Sequence, residues 1–317
     1  MPAGASKAPP WAHLRSVVAL SGGVGGARLV DGLARALAPE ALTVVVNTGD
    51  DLVHWGLRIC PDLDTVMYTL AELCEPSRGW GVRDESFAAL GMVQRYGGEA
   101  WFQLGDRDLG THLMRTERLA RGLRLTEITA ELSAALGVRT RLLPMSDAPR
   151  PTRVETLDGK VLDFQDWLVR RRAQPRLRRV GYGAEGGASP EVLEAIDAAE
   201  LVILGPSNPF VSLDPILALP GLRAMLRTKR VVGVSPLIGG RAVKGPLVEM
   251  IESIEGCEPS AAFVARRYAD MLDGFVVERG DEAGIEIATL PTSTWMRTAD
   301  DRLRLAEALL AFGASLR

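Results

Sequence analysis

The sequence predicts an α/β fold: a Rossmann-like, doubly wound, mostly parallel sheet with helices on both faces and a helical insertion. Three observations support this prediction. Short apolar runs recur along the chain, helical patterns lie between them, and a glycine-rich bend joins the first run to the first helix. A strand that is apolar at every position is buried on both faces, and intervening helices provide the crossovers of a parallel sheet.

Five apolar runs are predicted to be the buried strands of this sheet. They are SVVAL (16–20), LTVVVN (42–47), ELVILG (200–205), KRVVGVSP (229–236) and GFVVE (274–278). Apolar residues at helical spacing predict one helix from about Arg28 to Leu37 and a second over residues 62–74. An Asp-Gly pair within TLDGKVLD (156–163) predicts a small hairpin.

The domain organisation follows from composition along the chain. Residues 1–14 are rich in Ala and Pro and are expected to form a disordered tail. Residues 15–317 are expected to form a single α/β domain, because 47% hydrophobic and 24% charged residues are typical of a globular core. A more helical insertion is expected at about residues 80–170.

Composition also excludes several classes of function. The net charge is −3, and the basic run over 170–179 has no interleaved aromatic residues, so no nucleic-acid partner is expected. Three scattered cysteines and three histidines fit neither a disulfide framework nor a zinc site. No apolar run reaches the ~18 residues of a membrane span, and no signal peptide precedes the first strand. We therefore expect a cytoplasmic protein without a membrane partner.

The glycine bend is the first candidate site. Four glycines, Gly22, Gly23, Gly25 and Gly26, follow the first strand. Glycine lets the backbone approach an anion closely, and a helix N-terminus attracts phosphate. The bend is neither a dinucleotide fingerprint, since Arg28 replaces the last glycine, nor a P-loop, since no Lys-Ser/Thr follows. It predicts phosphate contact, to which Arg28 could add, although a tight turn and a surface arginine are the alternatives.

Four aspartates after the second strand form the second candidate site. They are Asp50, Asp51, Asp62 and Asp64. Carboxylates near a phosphate loop suit a Mg²⁺ shared with a diphosphate. Mg²⁺ takes one or two carboxylates, and Asp50 and Asp62 are the favoured ligands. The alternatives are a helix N-cap for Asp64 and a turn for Asp62.

Four later segments supply further polar side chains. LGPSNPF (204–210) and SPLIGGRAVKGP (235–246) each follow a buried strand, as a nucleotide site requires. GDRDLGTHLMR (105–115) and LPMSDAPRPT (143–152) supply others. The candidate site residues in these segments are Ser207, Asn208, Ser235, Lys244, Asp106, Arg107, His112, Ser146 and Asp147.

These stretches together resemble a known family. From about residue 17 to the C-terminus, the chain is similar to the 2-phospho-L-lactate transferases that build the deazaflavin coenzyme F-420. The resemblance rests on GGVGGAR, NTGDD, RICPDLDTVMYTL, WFQLGDRDLGTHLMRT, LLPMSD, LGPSNPF and SPLIGGRAVKGP. One departure is Trp295, where a smaller aliphatic residue is expected.

The resemblance implies a Rossmann-like, Mg²⁺-dependent transferase that tends to dimerise. Its donor is a guanosine diphosphate-linked phospholactyl or phosphoenolpyruvyl group, and the terminal ribityl hydroxyl of the deazaflavin FO attacks the phosphorus. GMP leaves, and coenzyme F-420-0 or its dehydro form results. Asp50 or Asp51 would accept the hydroxyl proton.

The positions of the loops suggest a division between the two substrates. Ser207, Asn208, Ser235 and Lys244 would contact the donor. The segments that contain Asp106, Arg107, His112, Ser146 and Asp147 would face FO.

Two other functions remain open. One is a non-enzymatic regulator of the same fold that binds uridine-diphosphate sugars; in that group Asp-Asp is followed by Gly-Gly-Ser-Ser, whereas LVHWGL follows here. The other is a nicotinamide dehydrogenase, which the incomplete dinucleotide fingerprint disfavours.

Overall fold

The computed structural model describes residues 8–316. Its strands are β1 Val17–Ser21, β2 Leu42–Val46, β3 Leu52–His54, β4 Leu57–Ile59, β5 Arg141–Pro144, β6 Thr152–Thr156, β7 Val161–Asp163, β8 Leu177–Tyr182, β9 Leu201–Leu204, β10 Val231–Val234, β11 Leu237–Ile238, β12 Arg241–Ala242, β13 Gly274–Glu278 and β14 Ala288–Thr292. Its α-helices are α1 Gly23–Ala36, α2 Pro61–Leu70, α3 Ala88–Arg95, α4 Asp106–Ala120, α5 Leu125–Ala135, α6 Pro190–Ala198, α7 Asp214–Leu217, α8 Leu222–Leu226, α9 Leu247–Met250, α10 Ala261–Arg267 and α11 Ala299–Ser315.

The centre of the fold is a seven-stranded sheet of order β14-β13-β10-β9-β1-β2-β5. Every neighbouring pair of these strands is parallel. Val17 and Ala19 of β1 pack in one core cluster with residues of α1, α2 and α11. Val18 and Leu20 pack in a second cluster with residues of α6, α8 and α10. Because both faces are covered, every position of β1 is apolar or small, and the predicted doubly wound α/β class is confirmed.

The order of the strands reverses between β1 and β9. From β1 the chain passes to β2 on one side, and β9 with its successors β10 and β13 lies on the other. The helix that follows β1 packs on one face of the sheet, and helices α7 and α8, which follow β9, pack on the other face. This arrangement leaves a crevice at the carboxyl ends of the two strands. Ligands of open α/β sheets bind at such a switch point. The glycine bend and the 205–208 loop are the two segments that border it.

The predicted local elements differ from the structure mainly at their ends. Helix α1 begins at Gly23 rather than near Arg28, so three of the four glycines form its first turn. The helix predicted over 62–74 is α2, which ends at Leu70. The hairpin predicted over 156–163 is formed by β6 and β7, which pair antiparallel around the Asp-Gly turn.

The ends of the chain and the predicted insertion complete the fold. Of the tail predicted at 1–14, residues 1–7 lie outside the described residues, and residues 9–14 form a hydrogen-bonded turn that buries Leu14. Helices α3, α4 and α5 fall within the range 80–170, which also includes β5 of the main sheet. Across residues 8–316, no helix has the length and apolar content needed to cross a membrane.

Candidate active site

The glycine bend packs tightly against the loop that follows β9. Ser207 Oγ donates to the Gly22 carbonyl at 2.8 Å and accepts from the Gly22 N–H at 3.2 Å. A Cβ on Gly25 would lie 2.4 Å from the Pro206 carbonyl oxygen, and one on Gly26 would lie 2.6 Å from Ser207 Oγ. Glycine is therefore required here for close approach between two backbone segments.

The aspartates that follow β2 meet the glycine bend. Asp62 Oδ1 accepts the backbone N–H of Gly23 at 2.7 Å. The Asn47 side-chain amide donates to Asp62 Oδ2 at 2.9 Å and to Asp50 Oδ1 at 3.4 Å. Gln165 Nε2 donates to Asp50 Oδ2 at 3.1 Å. The side-chain amide nitrogen of Asn47 therefore donates to both of the carboxylates that are predicted to bind the metal, and it holds them close together.

The two carboxylates are buried together, and this perturbs both of them. Each residue is only 6% exposed. Burial raises the pKa of Asp50 well above its usual value, and the nearby charges of Asp62 and Asp51 raise it further. Burial also raises the pKa of Asp62 to about 6, against the opposing hydrogen bonds from Asn47 and Gly23. Such a pair is stabilised by a proton or by a cation.

A cavity of about 720 Å³ opens beside the bend and the acids. It lies at the switch point between β1 and β9. Both predicted metal ligands, Asp50 and Asp62, line it. So do most residues predicted for the nucleotide side, namely Gly22, Gly23, Gly25, Arg28, Ser207, Asn208, Ser235 and Lys244. Gly26 is the exception, because it faces Ser21 and Ser207. Trp295, the departure from the family pattern, also lines this cavity.

Three cations line the large cavity without an acidic partner. Among residues 8–316, no carboxylate lies within ion-pair distance of Arg28, Arg78 or Lys244. Lys244 Nζ instead contacts the backbone carbonyl of Arg78. Burial lowers the pKa of Lys244, and the charges of Arg28 and Arg78 lower it further. This cationic cluster of Arg28, Arg78 and Lys244 is complementary to an anionic ligand.

A second cavity, of about 380 Å³, adjoins the first. Asp50 and Asp62 line both cavities, so they lie where the two meet. The second cavity differs in character from the cationic one, because aromatic side chains form much of its wall. These aromatic residues are Tyr68, Trp80, Trp101 and Phe102.

A group of charged side chains closes one end of the second cavity. Asp64, Asp108 and His112 offer ligand atoms within 4.8 Å of one another, which is close enough to hold a metal ion. Both carboxylate oxygens of Asp64 also bind the guanidinium of the buried Arg115, one of them at 3.1 Å. Asp64 is therefore an ion-pair partner within the first turn of α2, not the N-cap, which is Cys60.

The other residues predicted on the FO side have structural contacts. Asp106 accepts two backbone N–H groups at the start of α3, and Asp147 accepts the Thr126 N–H at the start of α5. Arg107 donates to a backbone carbonyl, and Ser146 Oγ accepts a backbone N–H. Only His112 of the five lines the second cavity. The structure does not bring the other four to either cavity, because they cap helices or brace turns.

Asp51, the second candidate base, is oriented away from both cavities. Its Oδ2 accepts from Arg58 Nη2 and from Cys60 Sγ, each at 3.0 Å. Burial raises the pKa of Asp51 to about 7, against the opposing charge of Arg58. Asp51 lines a separate, smaller cavity with Asp50. Asp50 therefore lines all three of these cavities.

Sequence reasoning missed three polar residues of the site, and it did not name the aromatic residues of the second cavity. Asn47 stands beside the aspartates in NTGDD, so its amide could have been considered as the group that orients them. Gln165 and Arg78 carry no such signal, because they come from distant segments that only the fold brings to Asp50 and to the large cavity.

The fold and the site define a doubly wound α/β protein with an anion-binding cavity and a carboxylate pair at its switch point. The chain belongs to the family described as 2-phospho-L-lactate transferase CofD, which matches residues 17–302. It is therefore an enzyme of the transferase class.

Individual relatives agree with this assignment. The chain is 45% identical to the phosphoenolpyruvate transferase of Thermobifida fusca, over 87% of this chain and 91% of the relative. It is 41% identical to the 2-phospho-L-lactate transferase of Methanosarcina mazei, over 84% and 88%. A crystal structure of a UPF0052 family protein from Bacillus halodurans matches with a TM-score of 0.61 at 17% identity, over 93% of this chain and 99% of that one. This last similarity concerns the fold alone.

Proposed function

We propose that this enzyme transfers a phosphoenolpyruvyl or 2-phospho-L-lactyl group from its guanosine diphosphate-linked donor to the terminal ribityl hydroxyl of FO. The reaction releases GMP and forms coenzyme F-420-0 or its dehydro form, as a step of F-420 biosynthesis. One observation carries the proposal: a cationic cavity and an aromatic cavity meet at Asp50 and Asp62. A transferase needs this arrangement, because donor and acceptor must meet at the reacting phosphorus.

The donor would occupy the larger cavity. The glycine bend and the cationic cluster of Arg28, Arg78 and Lys244 would bind its diphosphate and the carboxylate of its three-carbon acid. Ser207, Asn208 and Ser235 would contact the rest of the donor from the loops after β9 and β10. The cations have no acidic partner among the described residues, so binding an anion there breaks no ion pair within 8–316.

The acceptor would occupy the second cavity. A deazaflavin is a flat aromatic tricycle, and Trp80, Trp101 and Phe102 offer faces and edges against which it can pack. Its ribityl chain would then extend towards Asp50 and Asp62, which line both cavities. The terminal hydroxyl would reach the phosphorus at that point.

Asp50 and Asp62 would hold the Mg²⁺. The fit rests on the donor set, since both groups are buried carboxylates with raised pKa values held around the Asn47 amide. When bound, Mg²⁺ would neutralise charge that develops on the diphosphate. The Asp64–Asp108–His112 group is less suited, because Arg115 already binds both oxygens of Asp64.

Asp50 is the group best placed to take the proton from the attacking hydroxyl. This assignment rests on position, because the Asp50 carboxylate lines both substrate cavities. The hydroxyl oxygen forms a bond to phosphorus, the bond from phosphorus to the GMP phosphate oxygen breaks, and the proton moves to Asp50. Asp51 is less suited because Arg58 and Cys60 occupy its Oδ2.

The competing function is a regulator that binds a uridine-diphosphate sugar. A binding protein of that kind needs one cavity for its ligand, whereas a second, aromatic cavity at the same carboxylates favours an acceptor substrate. A homodimer remains a prediction from the sequence resemblance, and a cytoplasmic location remains a prediction from the composition of the chain.

The test is a mass-spectrometric assay of the purified protein with FO, Mg²⁺ and each guanosine donor in turn. We expect one FO adduct and an equal amount of GMP, and the donor that reacts identifies the transferred acid. The matched control is Asp50→Asn, which should bind nucleotide but form little adduct. Folded protein that binds a uridine-diphosphate sugar and forms no adduct with either donor would contradict the proposal.

A further inference from the structure

We propose that Asp108 and His112 form a hydrogen-bond acceptor–donor pair that binds the pyrimidinedione edge of the acceptor ring and fixes which end of the ring enters the second cavity. This inference rests on the proposed function, because it concerns the orientation of FO. The pyrimidinedione edge of a deazaflavin offers an N–H between two carbonyl groups. In the proposed orientation, Asp108 accepts from that N–H and His112 donates to a neighbouring carbonyl.

The state of His112 is set by its buried neighbour. Arg115 Nη1 lies 3.3 Å from His112 Nδ1 and can only donate, so Nδ1 carries the lone pair. Nε2 is therefore assigned as the ring nitrogen that carries a proton. Within the described residues this Nε2 has no aligned hydrogen-bond partner, although it lies 3.2 Å from Asp108 Oδ1. His112 is 1% exposed, lines the second cavity and therefore offers it an unused donor.

Asp108 supplies the matching acceptor. Tyr68 OH donates to its Oδ1 at 2.7 Å, and the contact with His112 also uses Oδ1. Burial tends to raise the pKa of Asp108, but His112, Tyr68 and Arg115 together hold it below the usual value, so the group is an ionised acceptor. The side chain is 15% exposed, which leaves Oδ2 able to meet a ligand in the cavity.

The geometry of this pair favours an edge with adjacent N–H and C=O groups. His112 Nε2 lies 3.2 Å from Oδ1, the oxygen that Tyr68 binds, and the free Oδ2 belongs to the same carboxylate. A ligand that meets both Nε2 and Oδ2 must therefore present complementary groups side by side. The opposite end of the ring system carries an acidic phenol, whose anion the Asp108 carboxylate would repel. The charge of Asp108 therefore disfavours the reversed orientation of the ring, so repulsion as well as attraction selects one orientation.

A metal ion is a weaker occupant for the same position. Arg115 uses both oxygens of Asp64 and places its positive charge 3.3 Å from the His112 ring. A cation bound there would lie near the guanidinium of Arg115, and only Asp108 and His112 would be available to ligate it. Ligation of Mg²⁺ requires more oxygen donors than this.

The experiment is analogous to a double-mutant cycle, in which one change is made in the ligand and one in the protein. Binding is measured by the fluorescence of the deazaflavin. Dissociation constants are measured for FO, for FO methylated on the imide nitrogen and for FO without the phenolic hydroxyl. Each is tested on the wild-type enzyme and on Asp108→Ala. Imide methylation should weaken binding to the wild type by about tenfold or more and to Asp108→Ala by less than about twofold. Loss of the phenolic hydroxyl should cost both proteins equally.

Two further variants make the test independent of the folding of Asp108→Ala. His112→Phe removes the donor and should weaken FO binding by about tenfold, whereas His112→Gln retains a donor and should stay within about threefold of wild type. Equal losses in these two variants would overturn the proposal. The proposal would also be overturned if imide methylation weakened binding equally in wild type and in Asp108→Ala. It would be overturned too if Asp108→Ala changed the effect of removing the phenolic hydroxyl instead.

Two outcomes separate this inference from its alternatives. If wild-type protein binds no FO, the proposed function fails; if it binds FO without the coupling, only the orientation fails. Mn²⁺ binding followed by electron paramagnetic resonance tests the metal alternative. A Mn²⁺ site that Asp108→Ala abolishes would overturn the pair in favour of a metal centre, and unchanged Mn²⁺ binding would support it.

Discussion

Asp62 Oδ1 accepts a 2.7 Å hydrogen bond from the backbone N–H of Gly23. This bond joins the first turn of α2 to the first residue of α1, so the acidic cluster and the glycine bend are one structural unit. A carboxylate at a helix N-terminus is stabilised by the helix dipole. Asp62 therefore both caps α1 and keeps its other oxygen, held by Asn47, beside Asp50.

Neutralising either buried carboxylate should abolish metal-dependent turnover. We expect Asp50→Asn and Asp62→Asn each to lower kcat/KM by about 100-fold or more, because Mg²⁺ would lose a charged ligand. Release of GMP measures the rate. Mn²⁺ titration followed by electron paramagnetic resonance measures the affinity for the metal, which should weaken in both variants.

The control for these variants is Asp300→Asn, at an exposed position in the first turn of α11. It removes the same charge at a position that lines neither substrate cavity, and it should leave the rate and the Mn²⁺ affinity unchanged. If Asp62→Asn keeps its Mn²⁺ affinity and loses only thermal stability, its role is limited to capping α1.

Removing a cation from the large cavity should weaken donor binding specifically. Lys244→Ala and Arg28→Ala should each raise the donor KM by about tenfold or more, because each removes a charge-assisted contact to an anion. The KM for FO should change little. The effect should shrink as salt increases, since salt screens such contacts.

A matched control is Arg139→Ala, whose side chain is 75% exposed. It lowers the net charge equally but lies outside the cavity, so the donor KM should stay at the wild-type value. An unchanged donor KM in Lys244→Ala would remove the 235–246 loop from the donor site.

The strands of the sheet and the loops that border the site could be predicted because they depend on local patterns. In runs such as LTVVVN and ELVILG, the consecutive apolar residues Val44–Val46 and Leu201–Leu204 show no alternation, which is typical of a strand covered on both faces. The glycine bend was recognisable for a similar reason, since four glycines in five positions serve a close approach. The start of α1 was not predicted correctly, because Gly25 and Gly26 are helical in spite of their low helix propensity.

The remaining contacts of the site depend on tertiary structure. Gln165 reaches Asp50 from 115 residues away, and Arg115 pairs with Asp64 across 51 residues. No spacing rule relates such positions, so Asp64 resembled a helix cap in the sequence. Asp106 and Asp147 show the opposite error. Both were predicted as site residues because they lie in segments that resemble the family, but each accepts a backbone N–H at the start of a helix.

A side chain at Gly25 should destabilise the fold. A Cβ there would lie 2.4 Å from the Pro206 carbonyl oxygen, which is backbone and cannot rotate away. We expect Gly25→Ala to lower the free energy of unfolding by about 1–3 kcal/mol, measured by urea denaturation. The control is Gly91→Ala within α3, where the Cβ meets open space; it should raise stability by up to about 1 kcal/mol. Equal stabilities for the two variants would show that the bend can move away from the 205–208 loop.

Breaking the buried ion pair should cost more than removing it entirely. Arg115 is 2% exposed and binds both oxygens of Asp64, so Arg115→Met would leave a buried carboxylate without its partner. We expect that variant to lose about 3–5 kcal/mol of unfolding free energy. The double variant Asp64→Asn/Arg115→Met buries no unpaired charge and should be more stable than Arg115→Met alone, as urea denaturation of the four proteins would measure. Additive losses would mean that the two side chains act independently, and that Arg115 does not hold the Asp64 carboxylate at the end of the second cavity.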